Sequence, residues 1–270
     1  MGASGTPTSA EWLSGLTDVG QHLRMVTRLE TDLSGSAKCL YVSGSIEREE
    51  TVTVRDETIH AQFRWYTPGP QPNGMQATSM GIWVIDQHDL ECYLLDPSTG
   101  HTIRQFPTVT SHSSGITWDG EALWIASTFT PIELFRYSVD GQELRRLPTP
   151  GASEKSGAHG LEWIDGKLWV TVPPSATTYQ LDPATGAILR QFPAPGNRPH
   201  GIAWDGHLLW VVETSHRTIT GYRLDGTAER VLRMDDGPAE GPEPHGMTYL
   251  DGALWYCDAN TRAVCTIDIP

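Results

Sequence analysis

Apolar and polar positions repeat along this chain with a period of about 43 residues, and they alternate as they do in β-strands. Similar stretches begin at Gly115, Gly160, Gly201 and Gly246, and a weaker copy begins at Gly74, so successive starts lie 41, 45, 41 and 45 residues apart. A tryptophan follows each glycine at a fixed distance: Trp83, Trp124, Trp169, Trp210 and Trp255. The repeat indicates that one supersecondary unit is copied around or along the fold.

Each unit has the pattern of a four-stranded β-sheet. Two alternating runs flank an Asp-Gly pair, as at Asp119-Gly120 and Asp165-Gly166. Asp-Gly between such runs predicts a two-residue hairpin, because the turn needs positive φ. A third strand and then a fourth follow, as in TTYQLDPATG and AILRQFPAP. Four strands in 41 to 45 residues is the size of a β-propeller blade, and no segment has a helical period.

The ends of the chain suggest the number of blades. VCTIDIP at the C-terminus matches a third strand, and GQHLRMVTRL from Gly20 matches a fourth. One more degenerate unit is predicted between them, with Leu40-Tyr41-Val42 in place of the Leu-Trp-Val run and QFRWYTPGPQPNG as its outer strand and exit. We therefore expect an all-β fold, a six-bladed β-propeller of four-stranded blades closed by an N-terminal strand that joins the C-terminal blade. Five and seven blades are the alternatives.

The domain prediction follows from this count. Residues 1–270 are expected to form a single propeller domain, with residues 1–17 as a flexible or irregular N-terminal extension. Closing the ring removes exposed sheet edges. The repeated tryptophans are expected to fill the space between neighbouring blades.

Candidate chemistry lies at two ladders of equivalent positions. The residues just before the starting glycines are Asn73, Ser114, His159, His200 and His245. The residues at the end of the strand that contains the repeated tryptophan are Asp86, Ser127, Val172, Glu213 and Asp258. These two strands are antiparallel and innermost, so both ladders should share one mouth of the central channel.

Histidines beside carboxylates suit general acid–base catalysis or binding of a divalent metal. We expect His245, His200 and Glu243 to be catalytic, and Asn73, Ser114 and Glu213 to contact substrate. The predicted metal ligands are His159, His200, His245 and Asp258, with magnesium or zinc as the metal. The alternative is that these histidines only hydrogen-bond across the channel, or that Pro-His-Gly spread by copying of the repeat.

Composition limits the classes of partner that the protein is expected to bind. The formal net charge is −14, which argues against a nucleic-acid partner because a phosphate backbone needs a basic face. No apolar run is long enough to span a membrane and the N-terminus lacks a secretory signal, so a cytoplasmic protein with a small-molecule substrate is expected, monomeric by default. The four cysteines have no CxxC spacing and are expected to be buried thiols. Motifs for nucleotide cofactors are absent.

The repeat P-H-G-[I/M]-x-x-x-x-G-x-L-W-[V/Y]-x-[E/D] resembles that of the virginiamycin B lyase family, with kinship to NHL-type propellers, over residues 70–270. Members of that family open a cyclic peptide antibiotic at an ester by elimination, with a magnesium ion. The resemblance implies that His245 is the general base, that Glu243 and Asp258 help to hold the metal and that His200 orients the substrate. Asp258 stands where the family has glutamate, and the family has seven blades.

The sequence of the repeats is also similar to that of bacterial glutamine cyclotransferase-like propellers. A lyase-type carbon–oxygen enzyme acting on a small polar or cyclic ester, lactone or peptide-like substrate is therefore the first hypothesis. A non-catalytic binding or scaffold propeller is the second, and a lactone or ester hydrolase or a cyclase is the third, because the fold alone does not choose.

Overall fold

A computed structural model of the chain describes residues 54–234 and 243–269, together with the backbone of three short strands nearer the N-terminus. These short strands are β1 (Glu30–Thr31), β2 (Ala37–Leu40) and β3 (Glu49–Glu50). They form one antiparallel sheet in the order β1-β2-β3. They belong to a compact unit of residues 1–53, separate from the unit of residues 54–270.

In the described residues of the second unit, the regular secondary structure consists of strands apart from one 3₁₀ turn. In chain order, its strands are β4 (Arg55–Ile59), β5 (Gln62–Tyr66), β6 (Pro72–Thr78), β7 (Gly81–Asp86), β8 (Glu91–Leu95), β9 (Thr102–Pro107), β10 (Ile116–Trp118), β11 (Leu123–Ala126), β12 (Glu133–Tyr137), β13 (Glu143–Pro148), β14 (Gly160–Ile164), β15 (Lys167–Val172), β16 (Thr177–Leu181), β17 (Ile188–Pro193), β18 (Pro199–Trp204), β19 (Leu209–Glu213), β20 (Thr218–Tyr222), β21 (Ala228–Met234), β22 (Met247–Leu250), β23 (Ala253–Cys257) and β24 (Ala263–Asp268). The 3₁₀ turn is Pro173–Ser175. None of the described residues forms a helix that is long and apolar enough to cross a bilayer.

These strands form five blades, and the predicted six-bladed count is therefore wrong. Blades 1, 2 and 3 are β6–β9, β10–β13 and β14–β17, each paired in chain order. Blade 4 is β18–β21 with β4 added in parallel to β21 as a fifth strand. Blade 5 is β22–β24 with β5 as its fourth strand. Neighbouring inner strands contact each other around the ring, and β22 contacts β6 to complete it.

The error in the blade count has a local cause. The sequence pattern places Gln62–Tyr66 in the outer strand of an extra blade, but this segment pairs antiparallel with β24 and closes the ring. The spacing of Tyr41 before Trp83 imitates a repeat, although the segment before Gln62 has no glycine-led inner strand with an Asp-Gly hairpin. The closing strand predicted from Gly20, and residues 1–17, lie outside the described residues.

The predicted two-residue Asp-Gly turn is present in some hairpins and shifted in others. Asp165-Gly166 and Asp251-Gly252 are two-residue turns with positive φ at both residues. In blade 2 the turn is shifted by one residue: Asp119 flanks it, and its Oδ1 accepts the N–H groups of Glu121 and Ala122. Its other oxygen, Oδ2, accepts Trp124 Nε1–H at 3.0 Å. Asp205 does the same for Trp210 in blade 4.

A separate apolar core fills each interface between blades, as expected from the tryptophans. Trp83, Trp124, Trp169 and Trp210 are almost completely buried, each in the core between its own blade and the next. Trp255 is partly buried against the core between blades 5 and 1. Burial of such large aromatic side chains is the main apolar contribution to holding adjacent sheets together.

Around the axis, five glycines let the inner strands approach one another. A Cβ on Gly201 would lie 2.6 Å from the backbone N of Met247, and one on Gly246 would lie 2.5 Å from Gly74 Cα. Gly74, Gly115 and Gly160 each meet the next inner strand in the same way. Gly201 N–H also donates directly to His245 O at 2.8 Å. The ring therefore has no room for a side chain at these five positions.

We predict that Gly201→Ala destabilises the fold by about 2–3 kcal/mol, because overpacking typically costs about 1–3 kcal/mol and rigid backbone places this site at the upper end. Gly120→Ala is the matched control, since a Cβ there meets nothing within 4 Å and only positive φ opposes it, at a cost of about 1 kcal/mol. Denaturant unfolding of both variants measures the difference. An equal loss in the two variants would contradict the close approach at the axis.

Candidate active site

The five residues that precede the axial glycines lie on, or just before, the innermost strands of the five blades. Three of them are the predicted histidines, and their rings are in contact. The ring centroids of His159 and His200 lie 4.4 Å apart at an interplanar angle of 87°, and those of His200 and His245 lie 5.0 Å apart at 79°. His200 and His245 are buried, whereas His159 is partly exposed. The structure therefore brings together imidazoles from three successive blades.

The ring of His200 is fixed by a chain of hydrogen bonds through one residue. Its Nδ1 lies 2.9 Å from the carbonyl oxygen of Arg198. The backbone N–H of Arg198 donates to Glu213 Oε1 at 2.9 Å, and the second carboxylate oxygen accepts the N–H of His216 at 2.6 Å. The acid at the end of the second strand thus holds the loop whose carbonyl holds the imidazole.

Blade 5 repeats this arrangement around His245. Nδ1 of His245 lies 3.0 Å from Glu243 O, and Glu243 N–H donates to Asp258 Oδ2 at 2.9 Å. Asp258 Oδ1 accepts the N–H groups of Asn260 and Thr261. We call this chain, from strand-end acid through peptide to imidazole, the acid–peptide–imidazole relay. It exists twice because Arg198-Pro199-His200-Gly201 and Glu243-Pro244-His245-Gly246 share one local sequence pattern.

The relay determines the tautomer of both rings. A carbonyl oxygen only accepts hydrogen bonds, so Nδ1 of His200 and of His245 must carry the hydrogen, which leaves the Nε2 lone pair free. The N–H of Ala259 also approaches Nδ1 of His245, at 3.5 Å. That contact is at the limit of a hydrogen bond, so the 3.0 Å contact to Glu243 O decides the tautomer.

His159 lacks the relay. Blade 3 has Val172 where the other two blades have an acid, and Nδ1 of His159 is buried with no hydrogen-bond partner. The missing acid and the unpartnered ring nitrogen therefore occur in the same blade. His159 is free to use either ring nitrogen toward a bound molecule.

Burial lowers the pKa of all three imidazoles, which favours their neutral forms. Burial lowers the pKa of His159 to about 3, helped by the neighbouring His245 and Arg198. Burial also lowers the pKa of His200 well below its ordinary value, and the two flanking imidazoles lower it further. The pKa of His245 is lowered by burial too, but the Glu243 carbonyl and the charges of Asp258 and Glu243 oppose that shift.

The predicted substrate-contacting residues have different surroundings. Asn73 is buried, donates through Nδ2 to Gln87 Oε1 at 2.6 Å, and leaves its own Oδ1 without a partner. Ser114 is buried and accepts a hydrogen bond from Thr128 Oγ1 at 2.9 Å. Glu213 has each carboxylate oxygen occupied by backbone N–H groups in the relay.

The strand-end acids share one structural task. Asp86 in blade 1 accepts the N–H groups of Gln71, His88 and Asp89, in the same arrangement as Asp258. In blade 2, Ser127 Oγ replaces the acid and accepts Ser111 N–H at 2.8 Å. The ladder that the sequence suggested for chemistry therefore anchors the loops at the mouth. The catalytic, substrate and metal roles of these residues remain predictions.

The donor set at the mouth does not fit magnesium, the metal implied by the sequence resemblance. Magnesium prefers oxygen ligands, but each oxygen of Asp258 already accepts at least one backbone N–H, and the three axial side chains that gather are imidazoles. In the described parts of the chain, no group of three or more His, Cys, Asp or Glu side chains is arranged to hold a metal ion. The carboxylate of Asp258 is thus engaged in holding loops rather than left open for a cation.

One polar residue near the axis was not among the predicted site residues. Glu162 lies two positions after Gly160 and is buried, with both carboxyl oxygens hydrogen-bonded. The repeat alignment contained the signal, since the equivalent positions in the other blades are Gln76, Thr117, Ala203 and Thr248. Glu162 is the one charged residue at a position that is neutral in the other blades, and this difference could have marked it as a candidate.

We predict that Asp258→Asn destabilises the chain by about 1–3 kcal/mol, because an amide cannot accept all of the backbone N–H groups that the carboxylate accepts. Glu213→Gln should have a similar effect in blade 4. Asp268→Asn is the control, since its side chain is exposed and only accepts one exposed hydrogen bond from Gln62. Chemical denaturation tests this, and unchanged stability of both relay variants would show that the acids do not anchor the mouth.

Comparison with protein-family models finds no match. Among solved structures, glutaminyl cyclase from Myxococcus xanthus is similar, with a TM-score of 0.65 and 14% identity over 79% of this chain and 97% of that one. A catalytically inactive histidine-to-alanine variant of virginiamycin B lyase from Staphylococcus aureus, solved with quinupristin, has a TM-score of 0.50 and 18% identity over 90% of this chain and 80% of that one.

A streptogramin B lyase structure gives a TM-score of 0.50 at 20% identity, over 90% of this chain and 78% of that one. At such identities, the likeness concerns the fold. The resemblance to virginiamycin B lyase propellers that the repeats suggested is confirmed at that level, and the chain is a β-propeller similar in fold to these lyases and to glutaminyl cyclase.

Proposed function

We propose that the channel mouth is the active site of a lyase-type enzyme, in which His245 acts as general base on a small polar or cyclic ester, lactone or peptide-like substrate. One observation carries the proposal. Two adjacent imidazoles are held by backbone carbonyls with their Nε2 lone pairs free, and a third imidazole packs against them. Neutral imidazoles fixed in this tautomer are competent proton acceptors.

The elimination needs no redox partner. Nε2 of His245 accepts the proton on the carbon α to a carbonyl, and the electron pair of that C–H bond forms a carbon–carbon double bond. The carbon–oxygen bond at the β carbon breaks, and the carboxylate of the opened ester leaves with the bonding pair. The imidazolium then returns its proton to water or to the leaving carboxylate.

His245 is a better base than His200 because its surroundings oppose the burial-induced fall of its pKa more strongly. The charges of Asp258 and Glu243 raise the pKa of His245 against the effect of burial, whereas two flanking imidazoles lower that of His200 further. A general base works best when its pKa is close to the working pH. His200 is assigned to orient the substrate.

The other residues of the mouth have supporting roles in this proposal. Glu243 acts through its main-chain carbonyl as a positioning residue for His245, since its side chain accepts a hydrogen bond from Asn260 at 3.3 Å. The unpartnered Oδ1 of Asn73 and Nδ1 of His159 are polar atoms left for the substrate or for water. Ser114 offers a hydroxyl on the same ring of positions.

Quinupristin is the first probe, because it accompanies a virginiamycin B lyase of similar fold. Elimination gives a product of the same mass with a new double bond, whereas hydrolysis adds one water, so mass spectrometry separates the lyase from the ester hydrolase. A peptide with an N-terminal glutaminyl residue is the second probe, because a glutaminyl cyclase shares the fold.

We expect His245→Ala to lower turnover by roughly 10²–10⁴, the usual contribution of a general base, while the melting temperature stays near that of the parent chain. His207→Ala is the control, since its side chain is 77% exposed on a hairpin. Full turnover in His245→Ala would remove the base assignment. Saturable binding without turnover would favour the binding-propeller alternative, and conversion of the glutaminyl peptide alone would favour a cyclase.

A further inference from the structure

A second layer of polar side chains lies along the axis, two residues after the ring glycines. Its members come from different blades: Gln76 from blade 1, Thr117 from blade 2, Glu162 from blade 3 and Thr248 from blade 5. Thr248 Oγ1 accepts the N–H of Ala77 at 2.8 Å, which links blades 5 and 1. The proposed reaction uses none of these residues.

Glu162 joins three blades in this layer. Its Oε1 accepts the N–H of Trp163 at 2.8 Å, and its Oε2 accepts the N–H of Trp204 in blade 4 at 3.0 Å. Thr117 Oγ1 of blade 2 lies 3.3 Å from Oε1. The side chain is buried, so no bulk water competes for these contacts.

The hydrogen atoms available do not satisfy these contacts if Glu162 is ionised. Thr117 Oγ1 lies within hydrogen-bond distance of two acceptors, Gln76 Oε1 at 2.8 Å and Glu162 Oε1 at 3.3 Å. The amide of Gln76 is oriented by Nε2, which donates to Ala77 O at 3.0 Å, so Oε1 faces Thr117. One hydroxyl carries a single hydrogen and cannot serve both acceptors fully.

We propose that Glu162 is held as a neutral carboxylic acid that donates to Thr117 Oγ1, while Thr117 donates to Gln76 Oε1. The three side chains then form one directional chain from blade 3 through blade 2 to blade 1, with every hydrogen used once. Ionisation of Glu162 removes the first hydrogen of the chain and leaves a buried charge between the blades. We call Glu162, Thr117 and Gln76 together the clasp, because their hydrogen bonds link three blades. The clasp is sensitive to pH and is independent of the proposed lyase activity.

The electrostatic surroundings agree with a neutral acid. Burial raises the pKa of Glu162 to about 7, and this effect outweighs the hydrogen bonds from the Trp163 and Trp204 backbone N–H groups, which act to lower it. No charged group contributes to this shift. The titratable groups on or beside the elements packed against Glu162 are His159, Asp165, Lys167, Arg198, His200, Asp119 and Asp205.

The sign of the pH effect follows from linkage. Below pH 4.5, the ordinary pKa of a glutamate carboxyl, the folded and unfolded states are both protonated, and the stabilising effect of the clasp is complete. Between pH 4.5 and about 7, the unfolded chain releases its proton first, so the clasp's contribution to stability falls as pH rises. The unfolding constant should increase on the order of a hundredfold over this window from this group alone.

The experiment compares unfolding constants of the parent chain and Glu162→Gln from pH 4.5 to 8. The amide cannot ionise, so the ratio of the two constants should change on the order of a hundredfold across the window, whatever constant effect the amide has on the Trp163 contact. Glu154→Gln is the matched control, because Glu154 is exposed in the loop that leads into the same blade, and its ratio should stay flat. A flat ratio for Glu162→Gln as well would overturn the proposal.

Thr117→Val provides a second test. The direction in which it shifts the pH midpoint shows whether Glu162 or Thr117 donates the hydrogen bond. If Glu162 donates to Thr117, loss of the hydroxyl removes an acceptor from the neutral acid, and the pH midpoint of the transition moves down. If Thr117 donates to a carboxylate, the same substitution removes a donor from the charged form, and the midpoint moves up, which would overturn the proposal. Infrared difference spectra at pH 6 should show the carbonyl stretch of a protonated carboxyl in the parent chain and lack it in Glu162→Gln.

Discussion

The close approach of five inner strands at five glycines is the constraint from which the rest of the structure follows. Each glycine sits against the backbone of the next blade, and the ring closes where Gly246 meets Gly74. The residues before the glycines of adjacent blades are therefore held side by side, as the ring contacts of the three histidines show. Three histidines become neighbours because three successive blades have the same residue at that position.

Burial alone would not fix the orientation of an imidazole ring. The acid–peptide–imidazole relay fixes it through a hydrogen bond at Nδ1. A strand-end carboxylate is costly to bury unless it is hydrogen-bonded, and here its acceptors are filled by backbone N–H groups of two loops. One of those loops turns a carbonyl onto Nδ1 of the histidine. The carboxylate therefore acts on the ring through one residue of main chain, as partners behind a ligating or catalytic histidine commonly do through direct contact.

The sequence predicted the features that depend on repeated residue types and missed those that depend on which segments or atoms pair. The propeller fold, the tryptophan cores and the gathering of His159, His200 and His245 follow from positions shared among blades. The blade count failed because Gln62–Tyr66 reads as an outer strand in either arrangement, and only the partner of β24 distinguishes them. The engagement of Asp258 and Glu213 by backbone N–H groups depends on loop geometry that no spacing reveals, and the Glu162 network needs contacts across three blades.

The orientation of the imidazoles is the central claim, and a long-range proton–nitrogen correlation spectrum of the histidine rings tests it most directly. The chain has ten histidines, so single His→Gln substitutions at positions 200 and 245 assign the relevant signals. We expect both rings to carry hydrogen on Nδ1 and a bare Nε2 at neutral pH, and Asp258→Asn to alter only the ring in blade 5. Hydrogen on Nε2 in either ring, or a doubly protonated ring, would contradict this orientation.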